Sequence, residues 1–250
     1  MAPAALQHLL ASKTASIAAD LSPRAKPLPL GLGREKSAPS PGELLPLPEA
    51  VSALLPEGGL LRGGVVEIAA SRGLAKATSL ALAACASAQA EARLRGGGVA
   101  THGAWCAWVD PTGSLPAPFA LASGVDLARL LVVQPPPEKL AKVAVRMAES
   151  RAFSVLVIDT IGAIGDPDRT RADEIGRWST TVRRLSLAIE NSDRAIVLLT
   201  DLWARRPAAL PVAMRIEIER PSIDRLFVRV AKDRHGRVTQ KTAVPLAESA

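Results

Sequence analysis

Cysteine and histidine are scarce in this chain of 250 residues, with two and three copies. Cys85 falls in a predicted helix and Cys106 in a predicted strand, so both read as small buried apolar groups in a reducing compartment. His8, His102 and His235 stand far apart without ligand spacing, which argues against a metal centre. No apolar run approaches the roughly 20 residues that cross a bilayer. Ala4–Leu10 runs on into helix-like sequence with no cleavage signature, so the expectation is a cytoplasmic protein with no membrane partner.

The length suffices for one sizeable core or a core with an appendage, and 48% hydrophobic residues is ordinary for a folded chain. The formal charge is +7 and the pI about 10.0, which favours nucleic acid or another acidic partner. The excess is uneven. Residues 201–250 carry ten Lys/Arg against six Asp/Glu, whereas residues 1–50 carry five against four.

Three segments are expected. Residues 1–22 read as a helix with Leu6, Leu9, Leu10 and Ile17 on one apolar stripe. Such a stripe either docks back on the core or packs on another molecule. Residues 23–48 are rich in Pro, Gly and Ser and read as a linker. Residues 49–250 read as the core domain. There, apolar runs at Val65–Ala69, Ala104–Val109, Leu130–Val133, Val155–Asp159 and Ala195–Thr200 alternate with helical patterns at Leu74–Leu94, Glu138–Ser150 and Asp173–Asn191. Pro118–Ser123 reads as a further short helix. Near-continuous apolar strands separated by helices predict an α/β fold, a mostly parallel twisted sheet covered on both faces. Met214–Glu219, Leu226–Lys232 and Val238–Thr242 follow without helices between them and predict an antiparallel extension at one edge.

The turn from the first of these strands into its helix is where such folds bind phosphate, through G-x-x-x-x-G-K-[ST]. Here it reads Ala70-Ser71-Arg72-Gly73-Leu74-Ala75-Lys76-Ala77-Thr78. The lysine is in place at Lys76. Alanines occupy both glycine positions, Ala70 and Ala75. Ala77 takes the hydroxyl position, with Thr78 one residue late. A left-handed alanine costs about 1–2 kcal/mol, and each methyl fills space a phosphate would need. Lys76 reads either as a remnant of that site or as a lysine snorkelling from a helix start. Arg72 and Lys76 could still hold an anion at the helix N-terminus.

These motifs, in this order, resemble the RecA recombinase family. The resemblance rests on Gly58–Ile68 (GGLLRGGVVEI), Cys106–Asp110 (CAWVD), Val155–Thr160 (VLVIDT) and Leu198–Asp201 (LLTD), and spans residues 50–245. It implies a RecA-like core with the N-terminal helix and linker appended. It also implies losses. Thr112 stands where the family places a glutamate that activates water, and threonine cannot serve as that base. Asp201 stands where a glutamine senses the γ-phosphate. Asp159 is kept at the end of the Walker B-like strand, either for chemistry or for local structure. No cofactor is therefore expected, with weak ATP binding left open.

Within that family the chain looks most like the ImuA group of mutagenesis proteins, which look like RecA without an intact nucleotide site. This implies a non-catalytic accessory role in damage-induced translesion synthesis, nucleoid-associated in the cytoplasm. The implied partners are an ImuB-like inactive Y-family polymerase relative, RecA itself and single-stranded DNA, with self-association through the N-terminal helix. For DNA, Trp203 beside Arg205 and Arg206 offers stacking and charge. Lys232, Arg234 and Arg237 form a second basic cluster at a hairpin turn. The alternative for the first is a solvated basic loop with Trp203 tucked into the core; the second suits DNA or an acidic partner alike, where the resembled family reaches a neighbouring subunit's nucleotide. The rival functions are a variant DNA-stimulated ATPase and a cell-division inhibitor of the SulA kind.

Overall fold

The computed structural model describes residues 44–71, 76–95, 103–160, 171–202, 210–222 and 225–245. The N-terminal helix expected at 1–22, with Leu6, Leu9, Leu10 and Ile17, lies outside them, as does most of the linker. The linker's last residues belong to the core. Leu44–Pro46 forms β1, which pairs antiparallel with β2 (Gly59–Leu61) across the short helix α1 (Glu49–Ser52). Leu45 is 1% exposed and packs with Leu60 and Leu61. Arg62 fastens this flap: Nε donates to Leu44 O (3.1 Å) and a terminal nitrogen donates to Glu91.

β3 (Gly64–Ala70) is apolar except at Glu67 and is buried throughout. A run without alternation is what a strand covered on both faces requires. Val66, Ile68 and Ala70 face one core and Val65 the other. The first core lies under α2 (Ala77–Arg95), half of whose buried positions are alanine, so the helix can sit close to the sheet. Gln89 is its buried polar exception and is satisfied: it donates to Asp126 O (3.1 Å) and accepts from Asp126 N (2.8 Å). The second core lies under α4 (Leu140–Glu149) and α5 (Arg171–Ile189). The 3.6-residue spacing of Ile175, Trp178, Val182, Leu185 and Ile189 predicts one apolar stripe on α5; Trp178, Val182, Leu185 and Ile189 are buried, and the Ile175 side chain lies outside those described. α3 (Ala117–Ala122) is the short helix expected near 118–123.

The main sheet adds β4 (Cys106–Val109), β5 (Leu130–Val133), β6 (Val155–Asp159), β7 (Ala195–Asp201), β8 (Met214–Glu219), β9 (Arg225–Asp233) and β10 (Thr242–Pro245). Its order is β10-β9-β8-β3-β7-β6-β4-β5. Six strands from β8 to β5 run parallel, and β9 and β10 are antiparallel. The expected antiparallel extension is therefore smaller: β8 docks parallel beside β3. The last strand also starts later than expected. Thr239 interrupts pairing by accepting from Val230 N through its hydroxyl (2.8 Å) and donating its own N–H to Val230 O (3.1 Å). Val238 is left exposed, and pairing with β9 resumes at Thr242.

Candidate functional site

Parallel strands end together, and their carboxyl ends carry the loops that hold ligands in open α/β sheets. Here that edge is built by β3, β7, β6 and β4. The register sets Ala70 against Asp201, Asp159 against Leu199, and Val109 against Ile158. Three acidic residues, Asp110, Asp159 and Asp201, thus cap adjacent strands, and all three are buried. Asp201 is laterally paired with the residue that opens the candidate phosphate loop.

The edge is also stitched shut by main-chain bonds. Leu202 N donates to Ala70 O (2.9 Å) and Ser71 N to Ile218 O (3.2 Å). Thr160 donates both N–H (3.1 Å) and hydroxyl (2.6 Å) to Leu199 O.

Asp110 is occupied by its own loop. One oxygen accepts from Thr112 N (3.2 Å), Thr112 Oγ1 (2.9 Å) and Ser114 Oγ (3.4 Å), and the other from Leu115 N (2.8 Å). That is an Asx-type turn closed by side chains. Thr112 is exposed, with its hydroxyl held by Asp110. Lys76 is exposed in the turn that starts α2, and makes no ion pair among the described residues. Ala77 is buried with Leu80 and Ala81, and Thr78 is half-buried. Arg72 and Ala75 lie outside the described residues, as do Trp203, Arg205 and Arg206.

The second basic cluster sits elsewhere. Asp233 at the end of β9 pairs with Met214 at the start of β8, so the turn bearing Lys232, Arg234 and Arg237 lies at the amino edge of the parallel strands. Internal bonds hold much of it. Arg237 is ion-paired with Asp233 (2.9 Å), Lys232 Nζ donates to Leu210 O (3.3 Å), and Arg234 Nε donates to His235 (3.0 Å). Arg234 is the exposed member of the three.

Between the two edges runs a charge network that the motifs did not reveal. Glu67, fully buried in mid-β3, accepts from Thr200 Oγ1 (2.8 Å) and from Arg215 (2.9 Å). Arg215 also donates to Glu217 (3.0 Å), which accepts from Arg229 (2.5 Å). Burial works to lower the Arg215 pKa, but the Glu67 and Glu217 charges outweigh it and raise it. Burial works to raise the Glu217 pKa, yet bonds from Arg229 and Arg215 hold it below its usual value. The signal was available: a glutamate inside VVEIAA must find a buried partner.

This architecture, with helices on both faces and polar side chains gathered at its carboxyl edge, defines an α/β protein with a mostly parallel sheet. A model of the RecA N-terminal domain matches residues 47–202, more than half of the chain, and the chain belongs to that family. It is 33% identical over 155 residues to Protein RecA of Acidiphilium cryptum, covering 58% of this chain and 41% of that protein. It is 33% identical over 163 residues to Protein RecA of Mycobacterium avium, covering 61% and 43%. The match to Protein RecA of Cutibacterium acnes is 36% over 116 residues, covering 46% and 30%. The chain thus spans about two fifths or less of the length of these curated relatives.

Proposed function

We propose that this chain is a non-catalytic RecA-like accessory protein of DNA-damage tolerance, of the ImuA kind, which acts in translesion synthesis by holding partners. The observation that carries this reading is the lateral pairing of Ala70 with Asp201. It brings an aspartate level with the first residue of the phosphate loop, at the position where the resembled family carries a γ-phosphate-sensing glutamine. The neighbouring positions support the same conclusion. Thr112 stands at the base position with its hydroxyl given to Asp110, and Ala77 offers a buried methyl where a magnesium-binding hydroxyl would be needed. The described residues therefore fit a magnesium–nucleotide poorly.

Partner holding has its own support. Among the described residues β5 ends the sheet and pairs only with β4. It reads Leu-Leu-Val-Val, and Leu131 and Val132 are each 42% exposed. An apolar edge strand without charge or proline is a template for a strand from another chain. An inactive Y-family polymerase relative, RecA or a second copy are the partners this reading assigns, with weak single-stranded DNA binding alongside. The working-ATPase reading draws its support from Lys76, still in place and exposed.

The test is capture from DNA-damaged cells with tagged full-length chain, wild type and Lys76→Ala. Recovery of the polymerase relative or RecA by both forms alike is expected. Loss of capture in Lys76→Ala, or nucleotide-dependent capture, would return the chain to the nucleotide-driven class.

A further inference from the structure

Many of the described arginines are neutralised: Arg62, Arg93, Arg184, Arg215, Arg229 and Arg237 each have an acidic partner. The outer face of α4 departs from this pattern. Lys139, Lys142 and Arg146 are all exposed, and none makes an ion pair among the described residues. Glu138 stands one helical turn from Lys142 without pairing to it.

The three cations fall at i, i+3 and i+7, which places them along one side of the helix. At about 1.5 Å rise per residue they are spread over roughly 10 Å. They lie along a shallow, open groove of about 440 Å³ on one face of α4, lined also by Val143, Met147 and Ser150. Val143 and Met147 are half-buried against the core beneath, so two apolar side chains run beside the three cations.

The two sets of side chains together select the occupant. A polyanion needs the cations alone, and single-stranded nucleic acid is ordinarily gripped by aromatic platforms. Among the described residues no aromatic side chain lines this groove. A valine and a methionine suit aliphatic side chains, and methionine's flexibility lets such a surface adapt. We propose that the α4 groove binds an acidic, aliphatic peptide segment of a partner protein. Carboxylates of the segment meet Lys139, Lys142 and Arg146, and its aliphatic side chains lie over Val143 and Met147. The proposal uses no part of the nucleotide edge or of β5, so it stands or falls apart from the function proposed above.

The test uses the full chain and a fluorescein-labelled helical peptide in which Glu and Leu share one face, read by anisotropy. Controls are the same peptide with Lys for Glu, the same peptide with Ser for Leu, and a labelled oligothymidylate. Saturable binding of the Glu/Leu peptide alone is expected. Lys142→Glu with Arg146→Glu should weaken it by roughly tenfold or more, since exposed pairs are individually small and reversal adds repulsion. Lys142→Gln with Arg146→Gln, which leaves the fold's core untouched, should weaken it less, in the same direction. Unchanged affinity in either double variant would overturn the assignment. Equal binding of the Ser-substituted peptide would overturn the role of Val143 and Met147, and tighter oligothymidylate binding sensitive to the same variants would reassign the groove to nucleic acid.

Discussion

Replacing Arg215 with methionine should cost this fold far more than a surface substitution. Glu67 has no water contact, and its two oxygens are held by one hydroxyl, at 2.8 Å, and one guanidinium, at 2.9 Å. Arg215→Met removes the guanidinium held 2.9 Å from Glu67 and keeps most of the apolar volume. Stranding one member of a buried pair costs about 3–5 kcal/mol. Arg215 is itself 17% exposed, so water can partly take its place, and the low end applies. Against a total stability of about 5–15 kcal/mol, that is a large share.

The paired variant Glu67→Met/Arg215→Met removes both charges. It should recover most of the loss, leaving chiefly the orphaned Thr200 hydroxyl, worth about 1–3 kcal/mol. Urea unfolding monitored by circular dichroism measures all three variants, with Glu67→Met completing the cycle. A cost for Arg215→Met below about 1 kcal/mol, or a double variant as costly as the two singles summed, would refute the view that Glu67 depends on Arg215.

Three further outcomes follow from the geometry. Glu217 titrates below its usual value in the folded chain, so its stabilisation is complete above the unfolded pKa of about 4.5 and is lost as pH falls through the lowered folded value. Arg229→Gln should flatten that acid-side loss, and an unchanged pH profile of unfolding in the variant would contradict the assignment. The Cys85 thiol is pushed well up by its bond with Cys106 and by burial, and both thiols are buried. Ellman's reagent should therefore label neither until the chain unfolds, and prompt native labelling would show that α2 opens. Leu131→Lys with Val132→Lys places charge on the β5 edge; partner capture or self-association should fall while unfolding shifts little, and full retention would remove that edge from the binding account.

The alternation of long apolar strands and helices was legible because burial on both faces leaves a continuous apolar run. The stripe of Trp178, Val182, Leu185 and Ile189 was legible for the corresponding helical reason. The direction of β8 was not. Its Met-Arg-Ile-Glu-Ile-Glu pattern alternates because one face alone is covered, and that says nothing about whether the neighbour runs parallel. β1 was hidden because a three-residue strand ending in proline resembles the linker before it. Of the site, Ala70, Ala77, Thr112, Asp159 and Asp201 could be named from the motifs. Strand register set Ala70 beside Asp201 and Asp159 beside Leu199, and placed the Lys232, Arg234 and Arg237 turn at the opposite edge. The Glu67–Arg215 pair joins residues far apart in the chain, a contact that no local pattern contains.

The most direct trial of the central claim is phosphate release from ATP by the full chain with magnesium, with and without single-stranded DNA, beside Lys76→Ala. The account predicts release at the buffer rate in every case, and no difference between the two proteins. DNA-stimulated turnover that Lys76→Ala abolishes would contradict it and make the acidic edge beside Ala70 part of a working nucleotide site.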